Sequence, residues 1–333
     1  MRPTGAYTRK QLVNSKSAYL RGQVDDYIIK TIKQQLIEDQ IFVDTSWINQ
    51  AYLDSLQLNK TQTAVLYSGI DWENTHCIEQ RVDLHQYINN NTKNQIHIGN
   101  TNNQYYFNFW TEFIRQYPDR FFDEAYLTEP KIVNKFLCLN RKMHEHREYL
   151  LDLFDNLNIS QQGLISRPEH FLGNLDQDYI NLIKLDTTEF RQIPNDIYGL
   201  GDPDIWNSFF LNVVTETTTH TDVFISEKTW KPIIGLRPFV VLGDYSINSK
   251  LQDLGFDTFD DLFGNWWEDS NEWKDWRDRT NRLADLLESF FADNTLTQLN
   301  TLYEKLKPRL IANRNRFIEF QQENINKIRN IWG

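Results

Sequence analysis

Cysteine is nearly absent from this chain: Cys77 and Cys138 are the only two in 333 residues, and they fall in segments assigned below to different domains. A disulfide framework is therefore not expected, and both thiols read as reduced and structural. Long apolar runs are missing as well. No uninterrupted stretch approaches the ~20 residues that a membrane-spanning helix needs, and Met1-Arg2-Pro3-Thr4-Gly5 is not followed by the apolar segment of a signal peptide. The expected setting is soluble and cytoplasmic, where the sequon Asn90-Asn91-Thr92 carries no weight. Positive charge is in deficit, with 35 Lys and Arg against 46 Asp and Glu, a formal balance of −11. That counts against broad binding to nucleic acid or anionic membrane, which needs clustered cations, and leaves room only for a local basic pocket. A nucleophile elbow, a Walker loop and a zinc-protease motif are also missing.

What remains is a folded chain. Apolar residues make up 40% and aromatics 14%, and 333 residues can bury two cores. To about Leu58 the pattern is mostly helical, with Val24, Ile28, Ile29, Ile32, Leu36 and Ile37 at helical spacing. Thr63 to Ser68 and Gln95 to Gly99 read as strands, Phe107 to Tyr117 as an aromatic helix, and the Asn-rich stretch from Asn89 to Gln104 as loop by composition. Pro130 disfavours helix at Glu129 and marks a boundary. From Lys135 strands and helices alternate, which argues for a parallel sheet covered on both faces. After Arg277 the pattern is helical. Leu283, Leu286, Leu287 and Phe290 share a face, then Leu299, Leu302 and Leu306, with Pro308 expected to break or kink the path.

The densest chemistry lies between Val223 and Gly243. Val223-Phe224-Ile225 is apolar, Ser226 is a good helix N-cap, and Glu227-Lys228-Thr229-Trp230-Lys231 follows. A helix start offers free N–H groups and partial positive charge to a phosphate or hydroxyl-rich ligand. The Glu227 carboxylate could accept two neighbouring hydroxyls, and Lys228 and Lys231 bring positive charge for a pyrophosphate. An ordinary exposed Glu-Lys pair at a helix N-terminus is the plainer alternative. Upstream, Lys135 to Leu139 is a strand, Asn140 to His146 a polar loop, and Arg147 to Leu157 a helix by the spacing of Leu150, Leu151, Phe154 and Leu157. Strand, basic loop and helix is a phosphate-binding order. Phe209 to Val214 reads as a buried strand entering the polar Thr215-Glu216-Thr217.

Ser226-Glu227-Lys228-Thr229, followed by Gly235-x-x-Pro238-Phe239-Val240-Val241-Leu242-Gly243, resembles the donor-binding motif of the α-1,3-fucosyltransferases and their bacterial and phage relatives. The resemblance covers roughly Lys135 to Leu262, and Leu254-Gly255-Phe256-Asp257-Thr258-Phe259 is similar to the phage branch. It implies an α/β fold of GT-B type: two facing Rossmann-like domains with a helical C-terminal tail. Residues 1–130 would form the acceptor side, 131–295 the nucleotide-sugar donor domain, and 296–333 helices returning to the first domain. By motif position Asn140, Arg147, Glu216, Ser226, Glu227 and Lys228 would meet the donor, with Arg141, Thr215 and Lys231 as further donor-side candidates. Thr217 stands where the family has Asn, and Ser226 where Thr is usual.

The implied reaction is an inverting transfer of a sugar from a nucleoside diphosphate (GDP-fucose-like or a UDP-sugar) to an acceptor hydroxyl, with no metal and no further cofactor. A general base is then expected from the first domain. Asp71 and Glu73, just past the Thr63–Ser68 strand, are the candidates, against a reading as solvated loop acids. The default acceptor is a glycan or lipid-linked sugar. A DNA base as acceptor, and a non-catalytic nucleotide-sugar or glycan-binding protein, stand as alternatives. Asp176-Gln177-Asp178 and Asp202-Pro203-Asp204 match the Asp-x-Asp pattern of metal-dependent transferases, a short motif that arises readily by chance in an acidic chain. His144-Glu145-His146 is not read as a metal pair, because residues two apart on a helix point apart. Trp266, Trp267, Trp273 and Trp276 could contact an acceptor or plug the seam between the domains.

Overall fold

A computed structural model of the chain describes residues 16–45, 54–68, 86–99, 105–126, 130–140, 143–166, 199–219, 223–267 and 275–330. The chain divides into two compact units, residues 1–116 with 321–333 and residues 117–320. Each holds a wholly parallel sheet, so the fold is α/β. No helix among the described residues is long and apolar enough to cross a membrane.

In the first unit β1 (Gln40–Asp44), β2 (Thr63–Ser68), β3 (Asn94–Gly99) and β4 (Tyr105–Tyr106) lie side by side in sequence order. Alternation sorts β2 into two faces. Ala64 and Leu66 join Val43 and Ile88 in one apolar cluster. On the other face Tyr67 packs its ring against Phe42 and donates its hydroxyl to Asp25 of helix α1 (Lys16–Lys33) at 3.0 Å. Burial, then Asp25, hold the Tyr67 phenol well above its ordinary pKa. Helix α2 (Phe109–Gln116) follows β4, and its first turn is capped by the Asn108 side chain, which accepts from Thr111 N–H at 3.2 Å. Two readings of this region need correcting. The helix expected to reach Ile37 ends at Lys33, with β1 close behind, and the strand expected at Gln95–Gly99 forms as β3 inside the Asn-rich stretch, so that stretch is not loop throughout.

In the second unit the strand order is β6-β5-β7-β8, formed by β5 (Asn134–Leu139), β6 (Leu164–Ser166), β7 (Phe209–Thr215) and β8 (Phe239–Leu242). Every residue of β7 and β8 is buried, as the continuous apolar runs require of central strands covered on both faces. The helix after β5, α3 (Glu145–Asn156), and α8 (Trp276–Asp293) meet one face, where Phe136 touches Phe154 and Phe291 with centroids 5.4 Å apart in both pairs. The short α4 (Pro203–Trp206) precedes β7, and α5 (Glu227–Ile234) joins β7 to β8. Trp230 of α5 sits among Phe256, Phe317 and Phe320, the last two from helix α9 (Leu296–Arg329). Helices α6 (Ile247–Asp253) and α7 (Asp260–Phe263) complete the unit.

Pro308 neither ends nor divides α9, which runs unbroken from Leu296 to Arg329. The side chain is exposed, so the carbonyl that loses its helical partner lies on the solvent side. Residues 321–329 of the same helix belong to the first unit. Asn324 there is paired with Asn108 both ways, accepting from its N–H at 3.1 Å and donating to its carbonyl at 2.9 Å.

The turn between α5 and β8 is built around one buried cation. Arg237 donates to Trp206 O at 3.0 Å and to Leu236 O, Asn207 Oδ1 and the Tyr303 hydroxyl at 2.9 Å each. Burial pulls its pKa below the ordinary arginine value, and Tyr303 opposes that pull. Gly235 precedes it because a Cβ there would overlap the Trp206 indole, whose Nε1–H donates to Gly235 O at 3.0 Å.

Candidate functional site

The order β6-β5-β7-β8 places a reversal between β5 and β7, since the chain leaves β5 toward one edge of the sheet and β7 toward the other. In open parallel sheets ligands bind at the C-terminal ends of strands at such a reversal. The residues there are Asn140 after β5 and Thr215-Glu216 at the end of β7. Asn140 Oδ1 accepts from Thr215 Oγ1 at 2.6 Å, and Asn140 N–H donates to Ser166 Oγ at 2.8 Å. Three strand ends, β6, β5 and β7, are thereby laced together.

Two side chains from the first turn of α3 fasten the end of β7 further. Arg147, 2% exposed, donates through Nη2 to Thr215 O and Glu216 O, both at 2.9 Å. The His146 ring lies with Nε2 2.9 Å from the same Glu216 carbonyl. A carbonyl can only accept, so this nitrogen carries the proton.

Glu216 itself is fully buried, at 0% exposure. Its Oε1 accepts from Ser226 N–H at 2.9 Å and Thr229 Oγ1 at 2.6 Å, and its Oε2 from Ser226 Oγ at 2.6 Å. The carboxylate thus bolts the first turn of α5 to the end of β7. Ser226 Oγ also takes Lys228 N–H at 3.3 Å, the N-cap bond that its residue type predicts. Glu227 is 3% exposed, while the Lys228 side chain keeps 23% of its surface. The Lys228 ammonium is ringed by Ser226 Oγ at 3.1 Å, Thr217 Oγ1 at 3.3 Å and Glu227 Oε1 at 3.3 Å.

The result is a rigid edge on which one ammonium, beside a helix start, reaches solvent. A helix start and an ammonium side by side are chemistry that suits an anion. The chain matches no family model, no curated protein and no solved structure.

Of the residues singled out from sequence, Asn140, Arg147, Thr215, Glu216, Ser226, Glu227 and Lys228 converge on this edge. Their parts differ from one another. Asn140, Arg147, Thr215 and Glu216 spend their polar atoms inside the protein as braces, and Lys228 is the accessible member. Lys231 is buried one turn further along α5. Arg141, Asp71 and Glu73 lie outside the described residues, as do Asp176, Asp178 and Trp273. Asp202 is a helix cap, its side chain accepting from Asp204 N–H at 2.8 Å with Pro203 in the first helical position. The His144 and His146 rings do not point apart: His144 precedes the helix as its N-cap, and the rings stack 5.9 Å apart at 11°. Among the described residues no three His, Cys, Asp or Glu are grouped to hold a metal ion. Trp267 and Trp276 are buried, Trp276 against His146 and Tyr149.

Sequence reasoning missed Thr229, Ser166 and His146. Thr229 stands three residues after the N-cap, yet its hydroxyl donates to Glu216 and not back to the cap, a partner no local spacing signals. Ser166 ends a three-residue strand too short to show periodicity.

Proposed function

We propose that this chain is a glycosyltransferase that moves a sugar from a nucleoside diphosphate to an acceptor hydroxyl. In this reading the two units face each other as GT-B domains resembling those of the fucosyltransferase superfamily, the second holds the donor, and transfer is inverting and metal-independent. The observation that carries it is the Glu216-braced start of α5 at the strand-order reversal, which sets the accessible Lys228 beside the Glu227 carboxylate. A nucleoside diphosphate has the matching chemistry: vicinal ribose hydroxyls for a carboxylate and a pyrophosphate for an ammonium and helix N–H groups. Fixed positive charge at that pyrophosphate would stabilise the leaving diphosphate in the transition state.

The test is thermal stabilisation of the wild-type protein by GDP, UDP and CMP, without metal and then with Mn²⁺, repeated on Lys228→Ala. At a hundredfold excess over Kd a bound nucleotide contributes about 2.7 kcal/mol. One nucleoside diphosphate is expected to stabilise regardless of metal, with the effect lost in Lys228→Ala. If no nucleotide shifts the melting of the wild-type protein, the transferase reading is overturned.

A further inference from the structure

We infer that Tyr245 is the platform on which the base of the bound nucleotide stacks. This rests on the donor reading above and adds to it the group that separates a nucleotide from any other diphosphate.

The argument starts from β8. Its C-terminal end is held against the brace: Glu216 N–H donates to Leu242 O at 2.8 Å, and a Cβ on Gly243 would lie 3.2 Å from Glu216 Cβ. Tyr245 follows Gly243 by two residues, at most about 7 Å of chain. It therefore stands at the same edge of the sheet as Glu216, on the β8 side.

Tyr245 is 39% exposed. The other large apolar side chains with comparable exposure among the described residues are Ile37, Val133, Leu296, Ile311 and Ile318. Ile37 belongs to the first unit, Val133 lies at the opposite, N-terminal end of β5, and the remaining three are on α9. Tyr245 is thus the member of this set placed at the strand ends where the cation is presented.

Its backbone is also fixed on both sides. Asp244 Oδ1 accepts from Ser246 N–H at 3.1 Å and Ser246 Oγ at 2.9 Å, and Asp244 O accepts from Ile247 N–H at 3.2 Å. A turn closed in this way holds the residue at its centre in place before any ligand arrives. On a backbone fixed in this way only the side-chain torsions of the tyrosine are lost on binding, and every base offers a π-face to its ring.

The experiment is calorimetric titration of wild-type protein, Tyr245→Ala, Tyr245→Phe and Lys228→Ala with GDP, UDP and inorganic pyrophosphate. Tyr245→Ala is expected to weaken the nucleotides about tenfold or more while leaving pyrophosphate unchanged. Tyr245→Phe should retain wild-type affinity, and Lys228→Ala should weaken all three ligands. Unaltered nucleotide affinity in Tyr245→Ala, or an equal loss for nucleotide and pyrophosphate, overturns the platform and leaves the donor reading standing. A wild-type protein that binds neither nucleotide refutes the donor reading and the platform with it.

Discussion

The buried carboxylate of Glu216 allows a graded prediction. Replacing it with alanine leaves three donors, Ser226 N–H, Ser226 Oγ–H and Thr229 Oγ1–H, facing an apolar void. Each unsatisfied buried donor costs about 1–3 kcal/mol. The Ser226 hydroxyl can turn elsewhere and water can enter, so the sum falls short of additive, and about 3–5 kcal/mol is expected for Glu216→Ala. Glu216→Gln keeps one accepting oxygen but turns an NH₂ toward a donor, for about 2 kcal/mol. Thr229→Val removes a single bond while Glu216 keeps both Ser226 contacts, for about 1 kcal/mol. Urea unfolding followed by circular dichroism at neutral pH measures all three. The reasoning is refuted if Glu216→Ala loses less than about 1 kcal/mol, or if Thr229→Val is as costly as Glu216→Ala.

Two further outcomes follow from the fold. Gly235→Ala drives a methyl group into the Trp206 indole and should destabilise by about 1–3 kcal/mol, with a shift in tryptophan emission; an unchanged urea midpoint would show that the turn relaxes freely. Arg309 holds Asp261 at 2.7 Å and Asp257 at 2.6 Å, and the Arg309 hydrogen bond keeps the Asp261 carboxyl below its ordinary value of 3.8. A depressed folded pKa contributes stability above pH 3.8 that is lost as pH falls through the folded value. Arg309→Met should therefore flatten the acid limb of the stability curve below about pH 4. The effect is small because Asp261 is exposed, and an unchanged acid limb in the variant would refute it.

Long apolar runs and a good cap residue made the second sheet readable. Phe209–Thr215 and Phe239–Leu242 are buried on both faces and need no alternation to be recognised, and Ser226 announces α5 by its own chemistry. Short or one-sided elements were harder to read. Ile37 continues the spacing of α1 in sequence, yet it lies beyond the helix and is 56% exposed, so periodicity overran the true end and hid β1. The candidate site was legible as a set of residues but not as a division of labour. Glu216 and Ser226 are ten positions apart and meet only because β7 and α5 fold back on each other, so a carboxylate read as a ligand contact emerges as an internal bolt. At Pro308 the residue type alone suggested a break or a kink, and the helix is not broken there.

The split of α9 between the two units has a consequence for the order in which the protein comes into being. Residues 117–320 are contiguous, so all of the second unit is in hand once Phe320 has been added to the growing chain. The first unit begins synthesis earlier yet cannot be completed until 321–329 follow, because Asn108 waits for Asn324, 216 positions downstream. The unit that is begun first is therefore finished last, and through that interval its sheet, whose strands are all made by Tyr106, must stay soluble without the helical turns of 321–329.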